Sequence, residues 1–302
     1  MNHFCTISTF SHLYKVKALA ESLASQGHEF LLHVLVVDDS AEFSFPNCKS
    51  WKLSDLSENE NASTFISKYQ NQQDKLRWCL KPVFLQHLLN QQIIEKIIYL
   101  DNDLFFYSDF QFLFELLNKY SFLLTPHHYN NNPKSNQNWL EANFRVGLFN
   151  AGFAGVNRSA LKTLQWWADC CNYRCEKNSF RGLFDDQKYL DLIPVIEENS
   201  HIVRHKGCNV AGWNTELCKR EKVDSQIKID GQFPIVFIHF NSTTIREMVN
   251  GKDKILSGFY RTYFESLKKY KEDLTEDNLL VPYPLVDKIK YSIWKVMTDL
   301  GI

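Results

Sequence analysis

Ile97-Ile98-Tyr99-Leu100-Asp101-Asn102-Asp103 is the stretch that decides the fold. Its apolar run reads as a strand covered on both faces, the habit of parallel sheets. Two carboxylates separated by one residue follow where that strand ends, at the carboxyl edge where open α/β sheets bind ligands. A turn there can aim both acids at one hard cation, and such a cation neutralises a diphosphate. Paired acids also end strands for purely structural reasons, so the tripeptide alone leaves both readings open.

Outward from this stretch the chain keeps the same rhythm. His3 to Ser8 alternates like a short strand, and Leu13, Val16, Ala20 and Leu23 repeat at helical spacing up to the C-capping Gly27. Phe30 to Val37 is a second apolar run and ends in Asp38-Asp39, which completes a right-handed βαβ unit. The polar stretch Ser54 to Gln73 reads as loop or short helix, and Leu76 to Leu89 as a helix opened or kinked by Pro82. Strands are expected at Ser121 to Thr125, Leu148 to Val156 and Phe233 to Phe240, with a loop over the Asn-rich His127 to Asn138. Ser159 is the expected N-cap of the helix carrying Leu161, Leu164 and Trp167. The fold class is therefore α/β: a Rossmann-like, mixed but mainly parallel sheet flanked by helices. Residues 1–245 are read as the ligand-binding and catalytic domain and 246–302 as a C-terminal helical extension.

Composition narrows the function. With 302 residues, 44% of them hydrophobic, the chain can bury a sizeable core. Its 34 basic and 35 acidic residues nearly cancel, which gives no electrostatic case for nucleic-acid binding. An anionic ligand must then be held locally. The N-terminus lacks a basic segment before an apolar one, so a cytoplasmic protein is expected. Eight irregularly spaced cysteines fit reduced thiols rather than a disulfide framework or a zinc site.

Further residues carry possible chemistry, each with a plain structural reading beside it. Asp38, at a strand end, suits hydrogen bonds to a ribose or base, or is a turn residue. His239, inside Val236-Phe237-Ile238-His239-Phe240, is a third metal ligand or a satisfied core histidine. Asn150-Ala151-Gly152 offers an amide and a close backbone approach, or a β-bulge. Asp185-Asp186-Gln187 places carboxylates in a site, or merely caps a short helix.

In order, the strings YLDNDLFFYSD, LFNAGFAGVNRS, LFDDQKYLDLIP, GCNVAGWN and FIHFNS resemble bacterial glycosyltransferases of the GT-A fold, nearest to the family 8 type. LRWCLKPVFLQHLL upstream is similar too, and the resemblance runs from about Phe4 to about Ser242. It implies a nucleotide-sugar donor, typically a UDP-sugar, and a glycan or lipid-linked glycan acceptor in surface polysaccharide or lipopolysaccharide synthesis. It implies that Asp101 and Asp103 hold Mn²⁺ or Mg²⁺ on the donor diphosphate and that His239 completes the metal shell. By the same resemblance Thr6, Ser8 and Asp38 meet the nucleoside, with Asn102 beside the metal acids. Asn150, Ala151 and Gly152 touch the donor sugar, and Asp186 and Gln187 flank the anomeric carbon. One departure matters: Asn241-Ser242-Thr243 stands where the family often has Gly-x-x-Lys-Pro-Trp, so the phosphate-binding lysine has no match.

The resemblance favours transfer with retention; a base at Asp185 or Asp186 on the opposite face would instead invert. Two other readings share the fold. A sugar nucleotidyltransferase needs a Gly-rich loop after the first strand, where Ser8-Thr9-Phe10-Ser11-His12 has none. A catalytically silent nucleotide- or glycan-binding protein would bind the donor with metal and never consume it. Finally, Leu285, Ile289, Ile293, Val296 and Leu300 form one helical stripe beside Lys288, Lys290 and Lys295. Residues 285–300 are read either as a contact to the inner membrane face or as a helix packed on the catalytic domain.

Overall fold

A computed structural model of the chain describes residues 1–38 and 43–280. Asp39 and the stripe at 285–300 lie outside these described residues. The chain opens with β1 (Asn2–Ser8), α1 (Leu13–Ala24), β2 (Phe30–Val36) and β3 (Cys48–Lys52). Next come α2 (Glu60–Tyr69), α3 (Gln73–Leu89), β4 (Lys96–Leu100), β5 (Leu104–Phe106), α4 (Gln111–Leu116) and β6 (Phe122–Pro126). The middle holds α5 (Gln137–Arg145), β7 (Phe149–Asn157), α6 (Leu161–Tyr173), the hairpin strands β8 (Lys177–Asn178) and β9 (Leu183–Phe184), α7 (Ile193–Ile196) and β10 (Ser200–Ile202). The last part runs β11 (Arg220–Val223), β12 (Gln226–Ile229), β13 (Phe233–Pro234), β14 (Phe237–His239), α8 (Ser242–Val249), α9 (Ser257–Lys268) and α10 (Glu276–Leu279).

Seven strands form one sheet in the order β10-β6-β7-β4-β1-β2-β3. Every neighbouring pair is parallel except those that β7 makes with β4 and β6. The start of β7 therefore lies at the same edge as the ends of β1, β4 and β6. Chain segments around Ser8, Asp101, Pro126 and Asn150 meet there. Helices cover both faces of the sheet. On one, α2, α3 and α6 pack over Trp51, Phe65, Phe84 and the fully buried Trp167; on the other, α1 and α4 pack over Phe4, Phe106, Phe110 and Phe114. Such two-sided cover explains why β2 and β4 read as unbroken apolar runs rather than as alternation.

The polar stretch before residue 73 forms a full helix, α2. Its Asn59 side chain caps the Ala62 N–H at 3.0 Å, and Ala62, Phe65 and Tyr69 give it one buried face. The expected strand over 233–240 is two pieces, because β13 pairs with β12 while β14 turns to pair with β5. Asn157, rather than Ser159, caps the entry to α6, accepting the Ser159 N–H at 2.9 Å. After β14, α9 packs Tyr263 against Phe240, with ring centroids 4.1 Å apart, in a third apolar cluster that also holds Ala18 of α1. No helix among the described residues is long and apolar enough to cross a membrane.

Candidate active site

Leu100 ends β4, and the chain turns at Asp101-Asn102-Asp103 before re-entering the core as β5. The Asp101 N–H donates to the Gly152 carbonyl of β7 at 2.8 Å, which continues the β4–β7 ladder to the first acid. Antiparallel pairing of β5 with β14 sets Leu104 opposite His239. His239 is thereby carried to Asp103, with its Nε2 3.1 Å from the Asp103 Oδ1. Ligand atoms of Asp101, Asp103 and His239 all lie within 4.8 Å of one another. Two carboxylates and one imidazole at this spacing fit a divalent Mn²⁺- or Mg²⁺-type ion.

The backbone of β7 leaves room for that convergence. A Cβ on Gly152 would sit 2.6 Å from the Asn150 Oδ1, 2.7 Å from the His239 Cε1 and 3.0 Å from the Asp101 Oδ2. Only glycine lets these three groups meet over the strand. Asn150 is itself fixed: its Oδ1 accepts the Gly152 N–H at 2.9 Å and its amide faces the His127 Nε2 at 3.2 Å. His127 is fully buried, its Nδ1 meets the Gly147 carbonyl at 2.9 Å, and burial pushes its pKa down to about 3. It is thus a neutral ring, with Nδ1–H donating and Nε2 accepting.

Lys81, on α3, holds the other wall together. Its buried ammonium donates to the Ala151 carbonyl at 3.0 Å and lies 3.4 Å from the Asp101 Oδ1 and 3.3 Å from the Asp186 Oδ2. Burial alone would lower the Lys81 pKa, but Asp101 and Asp186 together raise it. The Tyr99 hydroxyl donates to the same Asp101 Oδ1 at 2.7 Å. Gln187 grips Ala151 from the other side, its Oε1 accepting the Ala151 N–H at 3.1 Å. Both backbone groups of Ala151 are therefore committed within the protein.

Asp185 and Asp186 complete the wall. Burial pushes the Asp186 carboxyl up to about 8 against the pull of Lys81. Asp185 is raised to about 6 by burial, opposed by Lys177, whose ammonium is 3.5 Å away. Asp185 also adopts a left-handed backbone, φ 51°, uncommon for a residue with a Cβ. Beside His239, burial would raise the Asp103 carboxyl, yet His239 and then Lys15 hold it well below the usual carboxylate range. His239 is raised above the ordinary histidine value: burial opposes the shift, and the Asp103 charge and hydrogen bond overcome it.

These groups line one cleft of about 440 Å³. Asp101, Asp103, Asn150, Ala151, Gly152, Asp185, Asp186, Gln187 and His239 all face it. Thr6, Ser8, Asp38 and Asn102 do not. Thr6 is fully buried in β1, and the Ser8 hydroxyl accepts from the Asn102 amide at 3.0 Å, tying β1 to the acidic turn. Asp38 is exposed and its Oδ1 accepts the Phe10 N–H at 2.7 Å. Lys81 and His127 were missed from the sequence. Lys81 stands in a helical run where a lysine reads as surface, and His127 opens a stretch that reads as loop.

A mainly parallel sheet with an Asp-x-Asp turn and a distant histidine at its carboxyl edge is the GT-A glycosyltransferase arrangement. The chain belongs to glycosyltransferase family 8, whose profile, described as "Glycosyl transferase family 8", it matches over residues 5–244. It is 31% identical over 275 residues to the uncharacterized protein YfnD of Bacillus subtilis (strain 168), covering 88% of this chain and 85% of that one. Uncharacterized protein YfnF of the same organism is 28% identical over 255 residues, covering 80% and 82%. Among solved structures, mouse xyloside xylosyltransferase 1 has a TM-score of 0.47 at 17% identity, covering 80% of this chain and 98% of that one. The galactosyltransferase LgtC, in complex with donor and acceptor sugar analogues, has a TM-score of 0.48 at 11% identity, covering 78% and 86%.

Proposed function

We propose that this glycosyltransferase moves a hexose or hexosamine from a UDP-sugar to a glycan or lipid-linked glycan acceptor, with retention, in surface polysaccharide or lipopolysaccharide synthesis in the cytoplasm. The observation that carries this reading is the meeting of Asp101, Asp103 and His239 within 4.8 Å, in a cleft also lined by Asp185, Asp186 and Gln187. Those three residues would hold Mn²⁺ or Mg²⁺, which supplies Lewis-acid neutralisation of the charge gained by the departing diphosphate. Asp186 and Gln187 border the sugar, and the Lys81 ammonium between Asp101 and Asp186 fixes both acids at that wall.

In the transfer, the anomeric C–O bond to the diphosphate breaks and its electron pair goes to the phosphate oxygen. A new bond joins the anomeric carbon to the acceptor oxygen on the same face, and the acceptor proton passes to the departing phosphate. No base on the opposite face is required. Incubating the enzyme with UDP-sugars and Mn²⁺ tests the reading, by released UDP and by NMR of the new linkage. Asp103→Asn is expected to lose at least about a hundredfold in turnover while keeping its fold. Near wild-type turnover in that variant overturns the site, and an inverted linkage overturns retention alone.

A further inference from the structure

Three lysines line the cleft, and two of them are already engaged. Lys81 is held by Asp101, Asp186 and the Ala151 carbonyl. Lys177 pairs with Asp185 and lies over the rings of Trp78 and Phe184. Lys15, in the first turn of α1, forms no hydrogen bond and no ion pair among the described residues. Arg77, the cation whose charge acts on it, is already bound to Asp74.

An ammonium in a half-buried cleft with no hydrogen bond and only the charge of Asp103 to offset its burial is costly, and the surroundings register it. Burial lowers the Lys15 pKa, Asp103 pulls it back only in part, and Arg77 adds repulsion. His12, one turn away, is pushed down to about 4 by burial and then by Lys15 and Arg77. Four carboxylates and three ammonium groups line the cleft, so one divalent cation at Asp101, Asp103 and His239 makes it net positive. A polyanion is the ligand that relieves both the metal and the lysine. The start of α1 lies at the same sheet edge, where helix backbone N–H groups also favour negative charge.

We propose that Lys15 is the diphosphate-binding cation of this enzyme, reaching the donor from α1 in place of a lysine after His239. The assignment rests on the donor reading above. Asn241 and Ser242 line the cleft at the position after His239, and neither carries a charge. A lysine placed here faces the oxygen on which charge grows as the anomeric bond breaks, so it acts on leaving-group departure as well as on binding.

The test uses the full chain with Mn²⁺ and calorimetric titration of UDP, inorganic pyrophosphate and uridine. Lys15→Met is expected to weaken UDP and pyrophosphate roughly ten- to hundredfold, the scale of a charge-assisted contact. Uridine affinity should stay within about twofold, because the nucleoside carries no phosphate. Lys15→Arg should restore most of the loss. The melting temperature of ligand-free Lys15→Met should equal or exceed that of wild type, since an unpaired cation has been removed from a partly buried site. Unchanged UDP and pyrophosphate affinity in Lys15→Met, or an equal loss for uridine, overturns the assignment while leaving the donor reading standing. If wild type binds neither UDP nor pyrophosphate, the donor reading falls and the role of Lys15 falls with it.

Discussion

Lys81 is the residue on which the acids of the cleft depend. It is the counter-charge shared by Asp101 and Asp186 and is itself almost wholly enclosed. Lys81→Met is expected to destabilise the fold by about 3–5 kcal/mol, because removing one partner strands buried charge. Urea unfolding measures it, and a loss below about 1 kcal/mol would mean that water already screens the pair. His239 gives a pH signature. Without a cation its raised pKa makes the His239–Asp103 pair stabilising at low pH, and that contribution fades as pH rises through the raised value. Metal binding needs the neutral ring, so Mn²⁺ affinity should rise as pH climbs through that raised value. His239→Gln should flatten this dependence. The two slopes have opposite sign, so a thermal-shift series with and without Mn²⁺ separates them.

At the scale of the element, β7 carries the site by running against its neighbours. Being antiparallel, it brings its first residues, Asn150 to Gly152, to the edge where β4 ends. Gly152→Ala should keep the sheet, at a cost of about 1–3 kcal/mol for overpacking. It should also weaken Mn²⁺ at least about tenfold by pushing His239 and Asp101 apart. Retained Mn²⁺ affinity in this variant would show that the strand yields instead. The strands β2 and β4 were readable because burial on both faces leaves unbroken apolar runs, and β1 because its residues alternate. The acid pair Asp101 and Asp103 was readable because it interrupts such a run. Lys81 was hidden, since helical spacing in α3 says nothing of which polar residue faces inward. Asn157 displaced Ser159 as a cap because β7 ends at Asn157, one residue past the expected Val156, and the chain turns into a short helical turn directly after it.

For the whole molecule, the donor should act as a stabiliser. Saturation with UDP and Mn²⁺ at about a hundred times Kd adds about 2.7 kcal/mol, a rise on the order of 5 °C in a chain of this size. Apo and loaded protein melting at one temperature would contradict the site assignment. The β5–β14 pairing also sets an order of assembly. His239 reaches Asp103 only through a strand more than a hundred residues downstream of the acidic turn. A nascent chain on the ribosome can complete β1, β2 and β4 while His239 is still unmade. The cluster of Asp101, Asp103 and His239 is therefore completed late, after most of the central sheet has been translated, and a prematurely terminated product would display the acid pair without the imidazole that joins it.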